Sequence, residues 1–148
     1  MNPDFSGRTA IVTGAAHGFG RAISLAFATR GAAVWACDIV EDEVRETAQL
    51  CAAAGGTCSA RLVDVRDRRA VEAFVAAAAA ATGRVDILVN NAGGVLGQVG
   101  RPLEEVTPEQ WHDIFAVNVT GSFFCSQAVA PGMKSARSGR IVNISSGA

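Results

Sequence analysis

Residues Thr13 to Gly20 read Thr-Gly-Ala-Ala-His-Gly-Phe-Gly and follow the apolar run Thr9-Ala10-Ile11-Val12. A short β-strand therefore feeds a glycine-rich turn. The turn opens an apolar-periodic stretch, Arg21 to Arg30, with helical spacing. A helix start presents unpaired N–H groups and a partial positive charge, which suit a phosphate. Glycine lets the backbone turn sharply and leaves no side chain between it and a pyrophosphate. The expectation is a dinucleotide-binding βα unit near the beginning of the sequence. Plain turn and packing glycines have the same appearance, so Gly14, Gly18 and Gly20 need support from elsewhere.

Strand and helix signals alternate along the rest of the sequence. Gly31 stops the first helix. Val34 to Cys37 reads as a second strand ending in Asp38, and Glu41 to Ala54 as a helix that Gly55-Gly56 ends. Ser59 to Val63 is a third strand. Asp67 caps a helix running to Thr82, closed by Gly83. Val85 to Val89 is a fourth strand, followed by Asn90-Asn91-Ala92-Gly93-Gly94 and a loop. Thr107-Pro108-Glu109-Gln110 has the form of a capping box with proline at the first helical position, opening one long helix to about Met133. Arg140 to Ile144 is a fifth strand. Helices of this length between strands imply right-handed βαβ units and a parallel sheet covered on both faces. The fold class expected is α/β, a Rossmann-type doubly wound sheet. The polar and glycine-rich groups all fall at strand carboxyl ends, where such sheets bind ligands.

At 148 residues the chain has the length of one domain, and 49% hydrophobic residues suffice for a core. A net charge of −1 offers no basic excess for nucleic acid or a membrane surface. No transmembrane span and no secretory signal are expected. The four cysteines form no C-x-x-C pair and lie outside metal-ligand spacing of His17 and His112, so no metal is expected. Buried reduced thiols in a cytoplasmic protein are the simplest reading.

Asp38 lies 24 residues after Gly14, at the end of the second strand. The dinucleotide fingerprint places an acid there, on the ribose hydroxyls. Such a carboxylate accepts from a diol and repels a 2′-phosphate. A helix-capping aspartate would occupy the same position. His17 stands where a cation could touch a phosphate, and a mostly neutral imidazole does this poorly, which agrees with NAD over NADP.

Together these segments resemble the short-chain dehydrogenase/reductase family. Thr13 to Gly20 fits its T-G-x-x-x-G-x-G turn, and Asp64-Val65 its acid–apolar pair after strand three. Asn90-Asn91-Ala92-Gly93 fits N-N-A-G, Asn118 fits the helix asparagine, and Arg140 to Ser146 fits the strand leading to the catalytic serine. The resemblance implies that Gly14, Gly18 and Gly20, with His17 and Phe19 in the same turn, line the cofactor. It places Asp38 on the adenosine ribose with Ile39 beside the adenine. Asp64 would accept from the adenine amino group and Val65 would pack on the ring. Asn91, Ala92 and Gly93 would line the floor under the nicotinamide-side ribose. Asn118 would hold a water in a proton relay, and Ser146 rather than Ser145 would hydrogen-bond the substrate oxygen. Structural alternatives stay open: Asn118 satisfying backbone where its helix deforms, Asn90 tying adjacent strands together, and both serines as ordinary strand-end residues.

The resemblance also implies NAD as cofactor and hydride transfer with a small alcohol or carbonyl substrate. It carries a tendency to homo-oligomerise through the helix from Thr107. The family's chemistry needs a tyrosine and a lysine four residues later, on a helix after strand five. The sequence contains no tyrosine. The expectation is a single dinucleotide-binding domain over residues 1–148, truncated after strand five and lacking the family's last strands. On this reading it supplies the cofactor half of an enzyme and is inactive alone. A non-catalytic NAD-binding module, or one chain of a split enzyme paired with a complementary chain, is the alternative.

Overall fold

The computed structural model describes residues 3–146 and contains a parallel five-stranded sheet in the order β3-β2-β1-β4-β5. β1 (Thr9–Thr13) lies at its centre with every residue buried. α1 (Gly18–Ala28), β2 (Ala33–Asp38), α2 (Glu41–Ala53), β3 (Thr57–Leu62) and α3 (Arg68–Thr82) wind in one direction. β4 (Ile87–Asn90) returns to the other side of β1, followed by α4 (Pro108–Phe115), α5 (Gly121–Ser135) and β5 (Arg140–Asn143). Thr13 pairs with Cys37 on one side of β1, and Val12 with Val89 on the other. The strand order therefore reverses at β1/β4, and the connections leaving these two strands diverge. A crevice at their carboxyl ends follows from that divergence.

Two apolar layers cover the sheet. Alternate residues of β1 serve opposite faces. Ile11 joins Leu88, Phe74, Val129 and Met133 beneath α3 and α5, whereas Ala10 and Val12 join Val34, Val44 and Val89 beneath α1 and α2. Ala78 of α3 is fully buried in the first layer. The sheet is doubly wound, as the alternation of strands and helices implied. Asp67 accepts from the amides of Arg69 and Ala70, and Thr107 forms the capping box with Gln110.

The boundaries differ where side-chain contacts from elsewhere intervene. α1 begins at Gly18 rather than Arg21, because the glycine turn closes directly into the first helical turn. β4 excludes Val85 and Asp86: the Asp86 carboxylate instead accepts from the Thr9 amide, Arg8 and Arg84. The long helix expected from Thr107 is divided. A π turn over Ala116–Thr120 separates α4 from α5. Contrary to the expectation of no spanning segment, the run Pro108–Ser135 is 28 residues long and apolar enough to cross a bilayer by length and composition alone. In the fold its Cys125, Val129 and Met133 pack into the core, while most of the run is not buried. β5 lies at the sheet edge with all four residues exposed.

Candidate functional site

The crevice at the carboxyl ends of β1, β2 and β4 encloses about 390 Å³. The turn after β1 contributes Gly14, His17, Gly18 and Phe19, and the end of β2 contributes Asp38 and Ile39. Asp64 and Val65 follow β3; Asn91, Ala92 and Gly93 follow β4. These are eleven of the twelve residues expected on the cofactor. The twelfth, Gly20, packs behind the wall. A Cβ there would stand 2.7 Å from both the Gly14 carbonyl carbon and Asn91 Nδ2. Gly14, at φ +63°, is equally constrained, since its Cβ would fall 2.7 Å from Ala92 Cα. Two of the three glycines thus let α1 and the post-β4 segment approach each other. Gly18 differs: at φ +55° it lines the crevice, and a Cβ there meets nothing within 4 Å.

The start of α1 fits an anionic group. His17 occupies its N-cap position without a side-chain cap, and no acidic residue stands in the first turn. The first amides of α1 therefore keep their donors, and the helix dipole is not neutralised by the protein. The amides that follow β4 are fixed in turn. The buried Thr13 hydroxyl accepts from the amides of Asn91 (3.1 Å) and Ala92 (3.0 Å). Asn91 Nδ2 donates back to the carbonyls of Thr13 and Gly14, at 3.1 and 2.9 Å. The donor-rich turn, the open Gly18 and the carboxylate at Asp38 match the phosphate and ribose of a dinucleotide. The residues present fit that group.

Asp38 has a structural duty besides facing the crevice. Its Oδ2 accepts from the Ala16 amide (3.0 Å), holding the glycine turn, and its Oδ1 accepts from the Val40 amide (3.1 Å) before α2. Each carboxylate oxygen retains acceptor capacity beyond these bonds. Asp64 is more heavily engaged. Arg66 Nε and Nη2 clasp both of its oxygens at 2.6–3.0 Å, and the Arg66 amide adds a bond at 2.9 Å. The Arg66 hydrogen bond, chiefly, holds the Asp64 carboxyl below the usual carboxylate range. An adenine amino group at Asp64 therefore meets a carboxylate already occupied by Arg66, which itself lines the crevice.

Asn118 lies in the π turn, outside the lining of the crevice. Its Nδ2 donates to Gly94 O (2.8 Å) and Ile114 O (2.9 Å), while its Oδ1 accepts from the Gly94 amide (3.0 Å). The side chain thus satisfies backbone where the helix widens and ties that helix to the loop after β4. Asn90 bonds Asn143 Oδ1 across to β5 and Ser126 on α5, so it does tie adjacent strands together. Ser146 is exposed beyond β5 and is not among the crevice-lining residues.

Arg66, Arg21 and Thr47 join the site without a signal in the sequence, and Thr13, named only as the start of the glycine turn, gains a hydroxyl role there. A hydroxyl, a surface-type cation or a helical threonine has no spacing rule that points to a turn many residues away. The cysteines take no part in the crevice. Burial pushes the Cys58 thiol up to about 12 and the Cys125 thiol up to about 11. Among the described residues no group of His, Cys, Asp and Glu could hold a metal.

A doubly wound parallel sheet whose glycine turn opens a helix at the switch point defines a Rossmann-type nucleotide-binding fold. The chain belongs to the short chain dehydrogenase family, whose model matches residues 8–148. It is 40% identical over 142 residues to the D-threitol dehydrogenase of Mycolicibacterium smegmatis, covering 95% of this chain and 53% of that protein. It is also 40% identical over 141 residues to the sorbitol dehydrogenase of Cereibacter sphaeroides, covering 95% and 53%. A metagenomic short-chain oxidoreductase solved in complex with NADP superposes with a TM-score of 0.91 at 38% identity, covering 97% of this chain and 64% of that one. The chain spans about half the length of these two curated relatives.

Proposed function

We propose that this chain is the dinucleotide-binding portion of an NAD-dependent oxidoreductase acting on a small alcohol or ketone. The observation that carries NAD is Asp38. Its carboxylate stands at the carboxyl end of β2, on the crevice, with backbone donors fixing both oxygens. A ribose diol can donate to it, whereas a 2′-phosphate would bring like charge against it. His17, at the N-cap of α1, offers no permanent cation to compensate that phosphate. The NADP complex of the relative makes this point the one to test.

A nicotinamide dinucleotide supplies a ring carbon that takes up or releases a hydride. The chain's residues bind and orient. The first amides of α1 hold the pyrophosphate, Ile39 and Val65 flank the base, and Asn91, Ala92 and Gly93 support the second ribose. Ser146 donates to the substrate oxygen. Asn118 Oδ1, with one bond to Gly94, keeps a lone pair for a relay water. No tyrosine lies within these residues, and the curated relatives are about twice as long, so the acid and base of the reaction are not assigned to residues of this chain. The alternative reading is an NAD-binding module without chemistry. Free, largely buried cysteines support a cytoplasmic setting.

Calorimetric titration with NAD and NADP tests the cofactor. Wild type is expected to favour NAD, and Asp38→Asn, which keeps one acceptor and removes the charge, to lose about tenfold of that preference. Equal binding of the two cofactors by wild type refutes the NAD reading. An alcohol and ketone screen on the same sample separates module from enzyme: turnover defeats the module.

A further inference from the structure

We propose that Thr47, on α2, is a positioning residue for the pyrophosphate turn, acting with Arg21 to set the peptide planes of Ala15 and Ala16. This deepens the dinucleotide reading and rests on it. The two alanines are fully buried in the middle of the glycine turn. Buried peptide groups need partners, and a turn offers none of its own. All four groups are met by β2 and by side chains. The Ala15 amide donates to Cys37 O at 3.1 Å and the Ala16 amide to Asp38 Oδ2 at 3.0 Å. The Thr47 hydroxyl donates to Ala15 O at 2.8 Å. Arg21 Nε donates to Ala16 O at 2.9 Å and also to Thr47 Oγ1 at 3.1 Å.

Thr47 is fully buried, although helical threonines ordinarily bond their own preceding turn. Its bond to Glu43 O is longer, at 3.2 Å, than the one to Ala15 O. Its hydroxyl has one proton, so the shorter bond takes it and the lone pairs receive Arg21. Arg21 is locked from its far end by Glu46 Oε2 (2.6 Å) and Glu43 O (3.3 Å). α2 therefore grips the Ala15 carbonyl through Thr47 and braces Arg21 of α1, which holds the Ala16 carbonyl. The amides beginning at Gly18 follow directly, and their aim depends on the peptides before them. Asp38, which takes the Ala16 amide, faces the ribose position, so the same dipeptide links ribose and phosphate subsites.

The experiment compares ADP-ribose with adenosine, since only the former carries a pyrophosphate. Thr47→Val keeps the shape and removes the hydroxyl. It is expected to weaken ADP-ribose about tenfold and leave adenosine within about twofold of wild type, with Thr47→Ser restoring ADP-ribose affinity. The half-buried Arg21 supplies a second variant should Thr47→Val fail to fold: Arg21→Met is expected to shift the same ratio in the same direction. Parallel loss of both ligands, loss with no rescue by serine, or no loss in either variant overturns the positioning role. Absence of ADP-ribose binding by wild type instead sinks the dinucleotide reading, and the positioning role with it.

Discussion

Replacing Gly20 by alanine isolates the close approach on which the crevice is built. The new Cβ would overlap the Gly14 carbonyl and press on Asn91 Nδ2, 2.7 Å away. Neither neighbour can yield easily. Gly14 is in the left-handed region, and its carbonyl is held by Asn91 Nδ2 at 2.9 Å. Asn91 is in turn tied to Thr13 through its own amide. Overpacking of a fixed site costs about 3 kcal/mol. Alanine in place of glycine within a helix returns about 1 kcal/mol. The net loss of about 2 kcal/mol corresponds to a fall in melting temperature of roughly 4–8 °C for a domain of this size. Gly18→Ala is the control. It incurs a left-handed penalty of about 1 kcal/mol but no overlap, and its main effect is expected on dinucleotide affinity, because Gly18 lines the crevice. Thermal denaturation followed by circular dichroism measures both. A Gly20→Ala protein that melts at or above wild type, or above Gly18→Ala, refutes the argument.

Three further outcomes are expected. Arg66→Ala unclasps Asp64, so discrimination of NAD from its hypoxanthine analogue should rise about tenfold, as read by competitive titration; unchanged discrimination removes Arg66 from base reading. Burial tends to raise the Asp86 carboxyl, but the Thr9 amide, Arg8 and Arg84 outweigh it and leave it below its ordinary value. Its stabilising contribution is therefore complete above about pH 4 and lost as pH falls through the depressed folded value; urea titrations should show Asp86→Asn about 1–2 kcal/mol less stable at pH 7, with the gap closing in acid. Burial holds the thiols protonated, Cys58 up to about 12, so Ellman's reagent at pH 8 should label no cysteine rapidly until denaturant is added.

The residues that line up in the sequence are those whose role follows from local backbone chemistry. Gly14 and Gly18 sit in a tight turn, Asp67 and Thr107 cap helices, and Asp38 ends a strand. The break in the helix at Ala116–Thr120 was legible only as one open reading of Asn118, a side chain satisfying backbone where its helix deforms. Ala-Val-Asn-Val-Thr continues an ordinary apolar pattern, and only the bonds from Asn118 to Gly94 and Ile114 stabilise a wider turn there. Arg66 looked like one surface charge among several, because its pairing partner and its place on the crevice depend on how the loop after β3 folds back.

The sequence by itself determined the alternation of strands and helices, the parallel sheet and the carboxyl-end clustering of polar groups. Periodicity, glycine freedom and capping act over a few residues, and they are written in the order of residue types. Only the tertiary structure decided which donors and acceptors are already committed. Asp64 is clasped by Arg66, and Asp38 braces the glycine turn through the Ala16 amide as well as facing the crevice. Thr47 reaches back 32 residues to Ala15. A hydrogen bond across that separation depends on packing α2 against the turn, and no local rule specifies it.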